Sequence, residues 1–250
     1  MACRRHFNYQ SCLVAPATLK IEGLKEDNIL RRYLYIVFFL VFILTIYLPG
    51  QAMAGKITGI VKVNGLRSPA DILVYVVKVP SVHEDLSKTK FTMDQQNLTF
   101  IPHVLPIPVG ASVNFPNNDK VDHNIFSLSR TKKFNLGSYK PGEHKSVLFD
   151  KPGIVELRCD VHAEMAAFIM VLKNPYFAVT DDQGRFEIPS SKYLEQNNIK
   201  KLKDLPPGQY VLKIWHEKLK TQKQIVTVPE NGDVSIEITA TRGIPGVLYK

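Results

Sequence analysis

Cys159-Asp160-Val161-His162-Ala163-Glu164-Met165 is the stretch on which the reading of this chain turns. It sets a thiolate, an imidazole and a thioether at i, i+3 and i+6, on a turn between the apolar runs Ile154–Arg158 and Ala167–Leu172. Upstream, Asp122-His123-Asn124 supplies a second imidazole, read as the end of a strand-like segment. Soft sulfur ligands suit Cu(I) and imidazole suits both copper states. Two histidines, one cysteine and a methionine in weak axial contact form the donor set of a blue-copper electron-transfer centre. The expectation is one type 1 copper per chain, held by His123, Cys159 and His162, with Met165 as an axial ligand that tunes the potential. The competing reading of Met165, beside Ala166-Ala167-Phe168, is a core filler.

Cysteine usage sharpens this. Arg31-Arg32 precede an uncharged apolar run, residues 33–48, and Pro49-Gly50-Gln51 leads into the small-x-small pattern Ala52-Met53-Ala54. Residues 1–54 are expected to be a signal peptide cleaved after Ala54. An uncleaved helix anchored in the inner membrane is the alternative, although the run falls short of the about 20 residues a span needs. General secretion to the periplasm fits better than twin-arginine export. The thirty residues ahead of the apolar run are long for such a signal, and a start codon further downstream is expected. Cys3 and Cys12 leave with that segment, so Cys159 becomes the sole thiol of an exported chain. It is then a reactive thiol, an intermolecular disulfide, a metal ligand or an inert buried thiol. His162 and Met165 beside it favour the metal.

The whole chain carries a formal charge of +9, and loss of six basic and three acidic residues within 1–54 leaves +6. Scattered basic residues without a recognition motif speak against nucleic acid. They suit an acidic redox protein as donor or acceptor, because complementary charge raises encounter rates. There is no Gly-x-Ser-x-Gly elbow, phosphate loop or dinucleotide fingerprint, and no paired His-x-His for oxidase copper. An enzyme is therefore not expected, nor a soluble small-molecule substrate. Zinc is disfavoured because it rarely recruits methionine.

From Lys56 onward the chain reads as all-β. Strand-like runs are Ile57–Val63, Ile72–Val79, Ala111–Phe115, Ser146–Phe149, Ile154–Arg158, Ala167–Leu172, Tyr210–Trp215 and Gln224–Val228. Asn64-Gly65, Pro116-Asn117-Asn118-Asp119, Pro141-Gly142, Asp182-Gln183-Gly184, Pro206-Pro207-Gly208 and Asn231-Gly232 supply turns between them. Short strands at this spacing imply sandwiches or barrels. Only Ser190–Lys203 has helical composition, and its polarity suggests a surface excursion.

Residues 92–173 resemble the plastocyanin and amicyanin family of cupredoxins. The resemblance runs through Phe100-Ile101-Pro102, Val109-Gly110-Ala111-Ser112-Val113, Phe115-Pro116-Asn117, His123-Asn124 and Pro152-Gly153, and ends in Cys159-x-x-His162-x-x-Met165. It implies a Greek-key sandwich, and the role of His123 leans on it most. It also implies that Asn124 ties the two ligand loops together from behind the ligands; the ordinary alternative is a turn asparagine. It further implies an electron path through a surface edge of His162, ringed by an apolar patch of Ala163, Ala166 and part of Pro106-Ile107-Pro108.

Residues 174–250 resemble a carboxypeptidase-regulatory, transthyretin-like sandwich through Thr180-Asp181-Asp182-Gln183-Gly184-Arg185-Phe186 and Leu205-Pro206-Pro207-Gly208-Gln209-Tyr210. Gly59-Ile60-Val61 fits the opening strand of such a module, so residues 55–80 are expected to be its first strands, with the copper domain inserted after them. Alternatively Ile72–Val79 is the copper domain's own first strand. Exported methylamine-utilisation and plastocyanin-like proteins resemble the entire mature chain.

His103 is expected at the surface, with a second metal contact as the alternative. His144 lies in a polar turn. His83-Glu84 and His216-Glu217 lack the second histidine of a zinc-protease pattern. Trp215-His216-Glu217 reads as an ordinary strand end. The leading expectation is an exported carrier of single electrons. Copper storage or delivery on the same ligands is the first alternative, and a structural or carbohydrate-adhering sandwich is the second.

Overall fold

Alternating apolar residues between Asn, Asp, Pro and Gly turns leave the chain little choice but strands. The computed structural model describes residues 27–46, 54–80, 86, 89–199 and 202–244. Cys3, Cys12, Pro49-Gly50-Gln51, His83-Glu84 and most of the Ala52-Met53-Ala54 pattern lie outside them. The chain divides into two units, Met1–Gln51 and Ala52–Lys250. In the first, α1 (Asp27–Ile46) exposes residues 31–41. Among the described residues no helix is long and apolar enough to cross a membrane.

The second unit is all-β. In chain order its elements are β1 (Ile57–Asn64), β2 (Leu73–Val76), β3 (Lys90–Thr92), β4 (Asp94–Gln96), β5 (Thr99–Ile101), β6 (Val104–Pro108), β7 (Ser112–Pro116), β8 (His123–Ser127) and β9 (Phe134–Tyr139). There follow β10 (His144–Leu148), β11 (Gly153–Arg158), β12 (Ala166–Leu172), β13 (Phe177–Val179), β14 (Arg185–Ile188), α2 (Ser191–Gln196), β15 (Gly208–Trp215), β16 (Gln222–Val228) and β17 (Val234–Thr241).

A five-stranded sheet, β6-β12-β11-β8-β9, faces a three-stranded one, β10-β7-β3. They close on one core that includes Phe91, Val113, Phe115, Ile125, Val155 and Leu157. A second pair of sheets, β14-β1-β17 and β13-β2-β15-β16, closes on another core that includes Ile57, Val61, Val74, Leu212, Ile214 and Ile238. β1 runs parallel to β17 and antiparallel to β14. β2 pairs with β13 and β15, and among the described residues no ladder joins it to a strand of 90–172.

The four-stranded sheet is a shared wall. Period-two alternation sends Val74, Ala178 and Ile214 into the second core, while Leu73, Phe177 and Trp215 enter the first. Both faces are covered, so β2 reads as an unbroken apolar run rather than an alternating one.

Several strands differ from expectation. β6 contains Pro106 and Pro108, residues that normally argue against a strand. It is tolerated because β6 is an edge strand, bonded only to β12 and parallel to it. The helix expected over Ser190–Lys203 shortens to α2, capped by Ser190, whose Oγ accepts the Tyr193 N–H. It is not a surface excursion, because Tyr193 is buried, stacked on Phe91 at 5.8 Å and edge-on to Phe177 at 4.6 Å.

Candidate metal centre

β11 and β12 form an antiparallel pair whose last rung is Arg158–Ala166. Residues 159–165 must therefore close a loop whose ends are a strand spacing apart. The Met165 N–H donates to the His162 carbonyl at 3.0 Å, and the Cys159 N–H points to the Met165 carbonyl at 3.4 Å. These bonds turn the donor-bearing side chains of one short loop toward the start of β8. His123 opens that strand instead of ending one, which corrects its expected place. Its ring is fully buried.

The three side chains meet. Donor atoms of His123, Cys159 and His162 all lie within 4.8 Å of one another. His123 Nδ1 is 3.1 Å from His162 Nδ1, and His162 Nδ1 is 3.9 Å from Cys159 Sγ. Metal–nitrogen bonds of about 2.0 Å and metal–sulfur bonds of about 2.3 Å, at tetrahedral to trigonal angles, separate two nitrogens by about 3.3–3.5 Å and nitrogen from sulfur by about 3.5–3.7 Å. The pocket therefore fits a bound thiophilic cation with little rearrangement. Cys159 is buried at 4% exposure, and Met165 is buried on the same loop. Among the described residues no other group of three His, Cys, Asp or Glu side chains converges this way.

A residue that sequence reasoning missed fixes the tautomer. His123 Nε2 is 2.8 Å from Asp119 Oδ2, an acceptor, so Nε2 carries the proton and Nδ1 keeps the lone pair that faces His162. Asp119 is positioned from two sides. Its own N–H donates to Asn117 Oδ1, and Asn117, fully buried, donates Nδ2 to the carbonyls of Val121 and Tyr139. Asp119 Oδ2 also accepts the Leu98 N–H at 2.7 Å. Leu98 and Asn97 both adopt the left-handed conformation, with φ of 58° and 51°, at the tight turn between β4 and β5. That turn aims the amide at the carboxylate. The Leu98 N–H, and after it the imidazole of His123, hold the Asp119 carboxyl down to about 2. The only signal was an aspartate four residues before the histidine, in a segment already explained as a turn.

Asn124 behaves differently from expectation. Its Nδ2 donates to Asn135 Oδ1 on β9 at 2.8 Å, beside a register shift in the β8–β9 ladder, and not to the Cys159–Met165 loop. Its Oδ1 is buried without a donor. The expected apolar patch is also altered. Ala163 is exposed, Ala166 half-buried and Val161 59% exposed, but Pro106-Ile107-Pro108 is buried in β6.

His103 is not a plain surface residue. Its Nδ1 lies 3.2 Å from the Ala166 carbonyl and its Nε2 3.1 Å from Glu217 Oε1. Both neighbours are acceptors, so the doubly protonated ring is favoured. The Glu217 hydrogen bond raises the His103 pKa, against burial. His216 Nδ1 accepts the Lys218 N–H, and burial lowers its pKa.

No protein-family model matches this chain, and no curated protein does. Among solved structures it is similar to a purple cupredoxin from Nitrosopumilus maritimus, at 26% identity over 34% of this chain and 99% of that one, with a TM-score of 0.30. It is also similar to the reduced Cu(I) form at pH 4 of a mutant of amicyanin, at 18% identity over 38% of this chain and 96% of that one, with a TM-score of 0.32. A copper-containing nitrite reductase from Thermus scotoductus SA-01 aligns at 25% identity over 44% of this chain but only 28% of the enzyme, with a TM-score of 0.33. Each alignment covers less than half of this chain.

Proposed function

We propose that this protein is an exported blue-copper carrier of single electrons. His123, Cys159 and His162 would hold the metal, with Met165 as a further, weaker sulfur donor from the same loop. The observation that carries the reading is the convergence of the thiol and two imidazoles within 4.8 Å, one of them already set by Asp119 in a metal-ready tautomer. Copper, when bound, would accept one electron as Cu(II) and release it as Cu(I). The chain's part is to keep Cys159 away from water, hold both rings in place before the metal arrives, and leave His162 as the half-buried route to the surface. In this reading residues 92–173 are the copper domain, and the pairing of β1 and β2 with β13–β17 supports its insertion into a second sandwich.

Donor and acceptor would be redox proteins docking over His162. The net positive charge does not extend to this loop, where Asp160 and Glu164 are both exposed. A partner face with an apolar centre and basic rim suits it better than the acidic one expected from total charge.

Replacing Ala163 tests the route. The A163K variant, whose bulk and positive charge oppose a basic-rimmed partner face, should exchange electrons with small redox proteins more slowly while its copper absorption spectrum stays unchanged. A changed spectrum, or an unchanged rate, would contradict exit through His162.

A further inference from the structure

A groove of about 1140 Å³ lies between the two sandwiches, and none of His123, Cys159, His162 or Met165 lines it. Phe126 and Met170 of the five-stranded sheet and Tyr75 and Trp215 of the four-stranded sheet give it apolar and aromatic walls. Val77 and Leu128, 43% and 76% exposed, continue that apolar surface outward. The volume suits a drug-sized organic molecule, which such clefts usually bury among apolar residues with a few polar anchors.

The charges lining it are unbalanced. Glu156 is taken up by Arg158, with Nε to Oε1 at 2.7 Å. Arg130, Lys173 and Lys213 line the same groove and have no ion pair among the described residues. Trp215 backs the groove wall. It is 1% exposed, and its indole Nε1 is buried with no acceptor.

We propose that this groove binds a small amphipathic organic anion, a carboxylate or sulfonate with an apolar body. The body would lie against Tyr75, Phe126, Met170 and Trp215, and the anionic head would meet Arg130, Lys173 and Lys213. The proposal is independent of copper.

Trp215 is the only tryptophan of the chain, so its emission reports this one groove. The full chain without copper is titrated with dodecanoate below its micellar concentration and, separately, with dodecanol. Dodecanoate should change Trp215 emission saturably, and dodecanol should bind roughly tenfold more weakly for want of the ionic contacts. The double variant K173E/K213E should weaken dodecanoate by a similar factor and leave dodecanol unaffected. R130E, made separately, should act in the same direction if the double variant is poorly folded. No saturable change, or equal binding of acid and alcohol, would overturn the proposal. So would sedimentation showing that a second copy of the chain covers the groove.

Discussion

At the residue scale, His123 shows how a carboxylate can prepare an imidazole to bind a metal. Asp119 accepts the hydrogen bond from the Nε2–H, which leaves Nδ1 with its lone pair, and the Leu98 amide keeps that carboxylate charged and in place. Asp119→Asn retains an acceptor of similar shape but loses the charge that fixes the proton on Nε2. Its copper affinity should fall by about 10- to 100-fold, as for other carboxylate partners of ligating histidines. A competition titration against a chelator of known affinity checks this, and an unchanged affinity would remove Asp119 from the site. Cys159 and His162 were legible because their spacing within one loop is itself the chemical signal. Asp119 was not, since Pro116-Asn117-Asn118-Asp119 already had a sufficient explanation as a turn.

At the scale of elements, the contact between β12 and the end of β15 joins the Cys159–Met165 loop to the second sandwich. Phe168 on β12 meets Trp215 on β15 edge-on at 5.3 Å. His103, just before β6, bridges the Ala166 carbonyl and Glu217. Burial pushes the Glu217 carboxyl up, but the hydrogen bond from His103 and the nearby imidazoles hold it down to about 2, so it stays charged at neutral pH. The His103 pKa is raised above 6.5 in the folded state. Its stabilising contribution is thus complete below 6.5 and is lost as pH rises through the folded value. His216, Lys218 and Asp71 act on the same cluster, so a difference between proteins isolates the effect best.

Above the ordinary glutamate range, the stability advantage of the natural chain over His103→Gln should be largest in mildly acid solution. It should shrink as the solution becomes alkaline, read from denaturant midpoints against pH. A constant difference would show that His103 does not titrate through this contact. None of this was visible in sequence, because His103 and Glu217 are separated by 114 positions and each looks ordinary alone. β6 was hidden for another reason: two prolines mask an edge strand that needs few of its own N–H donors.

At the scale of the molecule, the all-β class and most long strands were legible from alternation and turn residues. The three-residue strands β3, β4, β5 and β13 were not, because they carry too few residues to show a period. Pairing order was also beyond local pattern: β1 joins β17 across nearly the whole chain. The consequence is a shared sheet buried on both faces, which packs the second sandwich against the core beneath the Cys159–Met165 loop.

Copper bound by Cys159, His123 and His162 as a thiolate-ligated redox centre would colour the chain. An absorption spectrum of the chain loaded with Cu(II), beside Cys159→Ser, tests it most directly. An intense visible thiolate-to-copper band is expected at one copper per chain, bleached by reductant and absent from Cys159→Ser. A faint band of oxygen and nitrogen ligation, or no stoichiometric copper, would contradict it.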